Sequence, residues 1–534
     1  MMGYFIGVDV GTQSARAGVF DATGQLLSSH SVALDIWRPR TGFAQQSSGQ
    51  IWTAICATVK SALAASSVDP KNVIGIGFDA TCSLVLVDED GTGVTVSPNG
   101  EPEQDVILWA DHRATDIAAE IDQTGHDLLQ ISGGTISPEM QLPKLCWLQR
   151  NLPDSWRQTK HFFDLPDWLT WRATGSLTRS QCSVVCKWTY RGTGEGWDSS
   201  LFEQIGLQDL VSEGFARIGT AVSLPGECLG PLSDEAAQEL GLKSSTMVGV
   251  SMIDAHAGAL GTLGIGRGAS KLALVAGTSA CHIVVGPEAA FVPGVWGPYK
   301  GVVFPTLWAN EAGQSMAGAA IDTVLKRHSK WKVICARAQA SGQSPYEILE
   351  QILHKMSGAD DVTLLSKDRH IVPDFNGNRS PLADPHRRGV TSGQRAVADD
   401  EDLALDYLAV IQSLAYGTKQ ILERLETQGV CTSEIVLSGG LAKNALYCQT
   451  HADVTGCTVI IPDQTEPVLV GSAMLGATAA GAYESLEDAA SSMCGAGIWL
   501  SPNKLHREYH AKKYACFLAM QDHFQHLASL MKSE

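Results

Sequence analysis

The sequence predicts an α/β fold made of two related halves, and three observations carry that prediction. First, Ile6-Gly7-Val8-Asp9-Val10-Gly11-Thr12-Gln13-Ser14-Ala15-Arg16-Ala17-Gly18-Val19-Phe20-Asp21 reads as two apolar strands joined by a tight turn of glycine and hydroxyl residues. Second, the pattern returns half a chain later in Leu272-Ala273-Leu274-Val275-Ala276-Gly277-Thr278-Ser279-Ala280-Cys281-His282-Ile283-Val284-Val285. Third, 534 residues exceed what one hydrophobic core usually holds, so two large domains are expected.

The elements follow in order. Strands are expected at 4–10, 15–21 and 26–32, then a helix from about Gln50 to Ala65. A buried strand follows at Val73-Ile74-Gly75-Ile76-Gly77-Phe78, and another at Leu84-Val85-Leu86-Val87. Strand clusters alternating with amphipathic helices are the α/β signature. Residues 140–230 are rich in tryptophan and turn residues and read as an insertion that walls a pocket. A boundary near Gly264-Ile265-Gly266-Arg267-Gly268 divides the chain into domains 1–267 and 268–534. The second half repeats the order: hairpin, helices at about 312–328 and 401–428, strand Ile435-Val436-Leu437. A last helix from about Gly471 to Tyr483 is rich in small residues, which permits the close packing an interdomain hinge needs.

Composition excludes several classes. Apolar residues make up 44% and charged residues 18%, ordinary values for a globular protein. A net charge of −18 argues against nucleic acid and anionic membranes as partners. The thirteen cysteines are scattered without a C-x-x-C, which suggests reduced thiols and a cytoplasmic location. A strand begins at Tyr4-Phe5-Ile6, so no signal peptide is expected, and no apolar run approaches the roughly 20 residues of a membrane span.

The turns suggest chemistry. Backbone N–H groups and hydroxyls in a Gly-Thr turn can wrap a polyphosphate, and a carboxylate beside it, here Asp9, can hold its Mg²⁺. Either turn alone is compatible with a plain β-hairpin; two of them half a chain apart suggest two halves closing on one nucleotide. Ile435-Val436-Leu437-Ser438-Gly439-Gly440-Leu441-Ala442-Lys443-Asn444 reads as strand, double glycine, helix start, where a flat ligand can approach the backbone. Asp254 stands among small and apolar residues in Gly249–Gly261. A carboxylate there needs a hydrogen bond or a metal, and could take a proton from a substrate hydroxyl or cap the following helix. Gly75-Ile76-Gly77-Phe78-Asp79-Ala80 and Gly264–Ala269 fit G-x-G-x-x-A, but a strand follows each, so neither is a dinucleotide fingerprint. No P-loop motif is present. His506 and His510, and likewise Cys182 and Cys186, have metal-compatible i, i+4 spacing but no obvious third ligand, and are expected at the surface.

Taken together, Asp9-Val10-Gly11-Thr12-Gln13-Ser14, Asp254, Gly277-Thr278-Ser279, Gly439-Gly440 and Asn444 resemble, in order and spacing, the FGGY carbohydrate kinases. Phe375-Asn376-Gly377-Asn378-Arg379-Ser380-Pro381, with Asp384 and Arg388-Gly389, is similar to that family's C-terminal pattern. The resemblance spans nearly the whole chain and implies two actin/hexokinase-like (ribonuclease H-like) ATPase domains with an active-site cleft between them. It implies Mg²⁺ on Asp9 and Asp254, and the phosphates of ATP along Gly11, Thr12, Gln13, Ser14, Arg16, Gly277 and Thr278. Adenosine would meet Gly318, Gly439, Gly440 and Asn444, and Asp254 would be the catalytic base.

Thr81-Cys82-Ser83-Leu84-Val85 resembles the D-ribulokinase branch of the family, and Trp109-Ala110-Asp111-His112-Arg113 and Gly133–Met140 resemble its ribulokinase side. The implied sugar contacts are Thr81, Cys82, Asp111, Lys187, Asp254 and Glu311, with Cys82 standing where L-ribulokinases tend to carry alanine. A surface position is the alternative for Lys187, and a helix-start charge for Glu311. The expected activity is transfer of the ATP γ-phosphate to a ketopentose, D-ribulose first, to give D-ribulose 5-phosphate. The alternatives are another polyol acceptor (L-ribulose, D-xylulose, ribitol) or a sugar- and nucleotide-sensing regulator without turnover. A homodimer is the assembly the family suggests.

Overall fold

The computed structural model describes residues 3–266, 270–358 and 361–531. It separates into two compact units that do not follow the chain. The first holds Met1–Ala269, Ile283–Asn310 and Pro462–Gly497; the second holds Ser270–His282, Glu311–Ile461 and Ile498–Glu534. The expected boundary at 267/268 falls on residues 267–269, outside the described residues.

The first unit is built on a mixed sheet. Its strands run Cys228–Pro231, Met247–Gly249, Val73–Ala80, Tyr4–Val10, Ser14–Phe20 and Leu26–Ala33 in spatial order, and Met252–Ile253 also pairs with Val73–Ala80. Tyr4–Val10 runs antiparallel to Ser14–Phe20 and parallel to Val73–Ala80. It is buried on both faces from Phe5 onward, which explains its unbroken apolar run. Helix Ser48–Ser66 covers Ser14–Phe20 and Leu26–Ala33.

Helix Pro467–Ala479 packs on the same sheet. The reason is absence of side chains. A Cβ on Gly7 would stand 1.9 Å from Leu469 O, one on Gly75 2.1 Å from Gly476 O, and one on Gly77 1.9 Å from Ser472 O. The helix repeats the device against helix Asp254–Leu263, where a Cβ on Gly471 would stand 1.9 Å from Ala257 O. The small-residue helix expected at 471–483 therefore begins earlier and serves the core of the first unit.

The second unit repeats the topology. Lys271–Ala276, the turn after it and Ala280 to His282 form its hairpin, and Lys271–Ala276, Glu434–Ser438 and Thr458–Pro462 are parallel neighbours in that order. The first unit has the same sequence of a hairpin followed by parallel strands. Helix Asp400–Glu426 packs on helix Ala445–Thr455. The helix expected at 312–328 starts only at Gly318, because Trp308–Gln314 is a strand.

The tryptophan-rich insertion is mostly short helices around its own aromatic cluster, with Trp197 against Tyr190, Phe202 and Phe215. Its helix Gln181–Lys187 ends on a residue expected in the sugar site. No described helix is long and apolar enough to cross a membrane.

Candidate functional site

The first unit gathers three carboxylates at the carboxyl ends of parallel strands, the usual place for a ligand in such sheets. Asp9 and Asp79 sit opposite each other in the register of Tyr4–Val10 and Val73–Ala80. Asp254 opens its helix directly after Met252–Ile253, which pairs with Asp79 and Ala80. Asp9 and Asp79 are buried and Asp254 is half-buried. Burial, then the negative neighbours Asp9 and Asp254, hold the Asp79 carboxyl well above the usual range. Burial, then Asp9, push Asp254 up to about 6, while the Ala255 N–H, Lys187 and His256 oppose the rise. That N–H donates to Asp254 Oδ1 at 2.7 Å; the helix cap itself is Ile253, so the expected capping role is not the one observed.

Arg16, expected along the phosphates, is engaged by carboxylates. Its Nε donates to Asp9 Oδ2 at 2.8 Å, a terminal nitrogen reaches the same oxygen, and the other terminal nitrogen lies 2.8 Å from Glu466 Oε2. The turn beside it is closed by Gly11 N–H donating to Ser14 O at 3.0 Å. Thr12 Oγ1 accepts from Trp109 Nε1 at 2.9 Å, and the exposed Gln13 offers its carbonyl to Leu34 N–H at 2.9 Å. Above Gly11 the nearest atom to an added Cβ would be Ser14 O at 3.7 Å, so the turn leaves room for a ligand against its backbone.

The expected sugar residues of this unit lie around the same strand end. Thr81 N–H donates to Val10 O at 3.0 Å, and its hydroxyl is 3.1 Å from Ser83 Oγ. Cys82 is buried and its carbonyl accepts from Gln141 Nε2 at 3.1 Å. Lys187 is buried, not at the surface, with Nζ 4.4 Å from the ring centroid of Trp296. Asp111 is fully buried, and its two oxygens already accept from Arg113 Nε, Arg113 NH2, Arg113 N–H and Ala44 N–H at 2.6–2.9 Å. That is the arrangement of a loop anchor.

Three residues escaped the sequence reading. Asp79 was passed over inside the rejected G-x-G-x-x-A segment, though its place two residues before Thr81 was a usable signal. Asp164 accepts from Gln141 Nε2 and Trp188 Nε1, both at 2.9 Å. Burial pushes Asp164 up to about 7, against the bonds from Trp188 and Gln141 and the charges of Lys144 and Lys187. Nothing in the local pattern marks Gln141 or Asp164, because long-range packing brings them to Cys82 and Lys187.

In the second unit, Gly277 N–H donates to Ser279 O at 2.9 Å. The carbonyls of Gly277 and Thr278 accept from Ala317, Gly318 and Ala319 N–H at 2.8–3.1 Å, which seats the turn on the start of helix Gly318–Arg327. Gly439 has φ +89, and a Cβ there would stand 2.5 Å from Ala276 O, so only glycine fits. Over Gly440 no atom lies within 4 Å of an added Cβ. Asn444 caps helix Ala445–Thr455: its Oδ1 accepts from Tyr447 N–H at 2.8 Å and its Nδ2 donates to Tyr407 Oη at 2.6 Å. Glu311 is on a strand, not at a helix start, buried, with Oε1 accepting from Arg379 at 2.6 Å.

Both pairs with metal-compatible spacing are buried, contrary to the surface expectation. His506 and His510 lie with Asp453, and Cys182 and Cys186 with His256.

Comparisons with known proteins identify the family. The N-terminal domain model of the FGGY family of carbohydrate kinases matches residues 4–261, and the C-terminal domain model matches 272–480. The chain is 42% identical over 544 residues to the human FGGY carbohydrate kinase domain-containing protein, covering 99% of this chain and 98% of that one. It is 38% identical over 512 residues to the D-ribulokinase of Saccharomyces cerevisiae, covering 89% of this chain and 72% of the yeast protein. Among solved structures, a xylulose kinase from Brucella ovis superposes with a TM-score of 0.81 at 20% identity, over 98% of this chain and 100% of that one, which shows a shared fold. With both domain models matched and a relative 42% identical over nearly its whole length, this chain belongs to the FGGY family of carbohydrate kinases.

Proposed function

We propose that the protein is a pentulose kinase that transfers the γ-phosphoryl group of ATP to the terminal C5 hydroxyl of D-ribulose. The observation that carries the chemistry is Asp254, a carboxylate raised to about 6 beside Asp9 and Asp79. At neutral pH such a group is ionised yet basic enough to accept a proton, as a general base requires. The similarity to the yeast D-ribulokinase over 89% of the chain supports the sugar.

Asp254 takes the C5 hydroxyl proton as that oxygen bonds to the γ-phosphorus. The bond from the γ-phosphorus to the β–γ bridging oxygen breaks, and ADP leaves. Positioning supplies most of the rate in such a transfer. Lys187, Thr81 and the Cys82 segment would hold the sugar, with Glu311 as a further contact, while Asp111 would keep its loop in place through Arg113. Gly11, Thr12, Gln13 and Ser14 in one turn and Gly277 and Thr278 in the other would receive the phosphates; Gly318, Gly439, Gly440 and Asn444 would hold adenosine. Arg16 would act through Asp9, whose oxygen it already engages. The crowded carboxylates suit a hard divalent cation, so Asp9 and Asp254 would hold Mg²⁺, directly or through water. Bound Mg²⁺ would neutralise charge on the transferred phosphate.

The test is ADP release with Mg·ATP across ketopentoses, pentitols and glycerol. The expected outcome is the highest kcat/KM for D-ribulose, with transfer lost in Asp254→Asn by about a hundred-fold or more while ATP still binds. A different preferred sugar would overturn the assignment of D-ribulose, and full activity in Asp254→Asn would remove that residue from the mechanism.

A further inference from the structure

A second group of ligating side chains in the first unit takes no part in this reaction. Cys182 and Cys186 lie one turn apart on helix Gln181–Lys187, so they share a face. His256 is the third residue of helix Asp254–Leu263. All three are buried. Their two sulfurs and a ring nitrogen all lie within 4.8 Å of one another, with Cys186 Sγ 3.6 Å from His256 Nε2.

That spacing suits a thiol–imidazole hydrogen bond and equally suits two ligands of one metal ion. Two ligands of a tetrahedral zinc ion, at ~2.3 Å for sulfur and ~2.0 Å for nitrogen, stand ~3.6 Å apart. The histidine cluster of the second unit provides the contrast. His506 Nε2 is 2.5 Å from Asp361 Oδ2, and Nδ1 is 2.8 Å from Asp453 Oδ2. Those are hydrogen-bond lengths, shorter than the ~3.4 Å that nitrogen and oxygen ligands of one zinc ion would keep. The second unit thus has an imidazole hydrogen-bonded to two carboxylates, whereas the three ligand atoms of the first unit lie close enough to share one metal ion.

Charge supports the same conclusion. Two thiolates and a neutral imidazole balance Zn²⁺, so the complex is neutral overall and avoids the cost of a lone buried charge. Soft thiolates also favour zinc over the hard Mg²⁺ of the phosphate site.

We propose that Cys182, Cys186 and His256 bind one zinc ion. Binding releases the two thiol protons to solvent as the two sulfur–metal bonds form. The metal joins the helix that ends at Lys187 to the helix that begins at Asp254. Its ligands are positioning residues for those two side chains, and the site stands whether or not D-ribulose is the substrate.

The test uses the full chain, reduced, treated with chelator and titrated with Co²⁺ alone. The expected result is one equivalent bound, with a thiolate-to-cobalt charge-transfer band that added Zn²⁺ abolishes. Cys182→Ser and Cys186→Ser should each weaken Co²⁺ binding at least ten-fold, with the far-ultraviolet circular dichroism unchanged. No such band in the wild type overturns the proposal. So does a band that survives in the double variant, since thirteen cysteines less these two leave eleven others. If the variants do not fold, X-ray absorption of the zinc-loaded wild type decides: two sulfurs on zinc are expected, and fewer overturn the site. None of these readouts uses turnover, so failure here is distinct from failure of the pentulose kinase reading.

Discussion

Asp254 is kept in surroundings that resist its ionisation, and this has a cost in stability. Its folded-state value of about 6 lies above the ordinary aspartate value of 3.8, so the native state binds the proton more tightly than the unfolded chain does. Its contribution is fully present below about pH 4 and fades as pH rises through about 6. Asp254→Asn should therefore raise the melting temperature at pH 7.5, by a margin that shrinks toward pH 4. The full shift corresponds to about 3 kcal/mol. For catalysis the sign is opposite: wild-type kcat/KM should climb as pH rises through about 6, as the base loses its proton. A melting temperature in Asp254→Asn equal to or below wild type at pH 7.5 would contradict this account. The legibility of these residues in the sequence follows from their neighbours. Asp9 and Asp254 adjoin turn and small-residue signals that belong to one segment. Asp79 joins them through the pairing of two strands about seventy residues apart, and Asp164 through packing, neither of which a local pattern encodes.

At the scale of elements, the sheet and helix Pro467–Ala479 meet through glycines. Gly77→Ala would force its methyl to within 1.9 Å of Ser472 O, and the backbone there has nowhere to give. The expected loss is about 2–3 kcal/mol or failure to fold, against a small effect for Gly440→Ala, where nothing lies within 4 Å. Chemical denaturation of the two variants makes the comparison. The strands and helices were largely legible because their periodicity is strong. The helix start at Gly318 was misplaced because Trp308–Gln314 is a strand whose Asn310, Glu311 and Gln314 leave no apolar run to mark it. The partner of the small-residue helix was hidden for a different reason: alanine and glycine announce close packing without saying against what.

His506 ties three elements of the second unit together. It starts the C-terminal helix Arg507–Leu530 and bonds Asp453 on helix Ala445–Thr455 and Asp361 ahead of the turn Thr363–Ser366. Although burial lowers it, the bonds to Asp453 and Asp361 win, and its value is raised above 6.5. A raised histidine stabilises fully below its unfolded value and loses that contribution as pH rises through the folded one. The stability gap between wild type and His506→Gln should therefore be fully present below about pH 6.5 and shrink as pH rises above it. A gap that is constant or grows with pH would show that the imidazole is not held as a cation.

For the whole molecule, each unit carries a strand–turn–strand hairpin beside parallel strands, and the proposed function would divide its residues between them: the carboxylates, most sugar contacts and one phosphate turn in the first, Glu311, the other turn and the adenosine contacts in the second. The duplication was visible in the sequence because the two Gly-Thr turns repeat. The composition of the units was not, because Pro462–Gly497 leaves the second half of the chain to complete the first unit.

That detour governs how the chain can be made. Protein domains usually fold in order as they leave the ribosome. Here the strands from Tyr4 to Ala80 are synthesised well over three hundred residues before the helix Pro467–Ala479 that packs on Gly7, Gly75 and Gly77. Until then the nascent sheet has an uncovered face, and a holding chaperone has a long interval in which to act. A fragment ending at residue 269 should accordingly aggregate, and a separate peptide spanning 462–497 should restore its solubility when both are expressed together. A soluble, cooperatively unfolding fragment without that peptide would show that the first unit can mature before its closing helix exists.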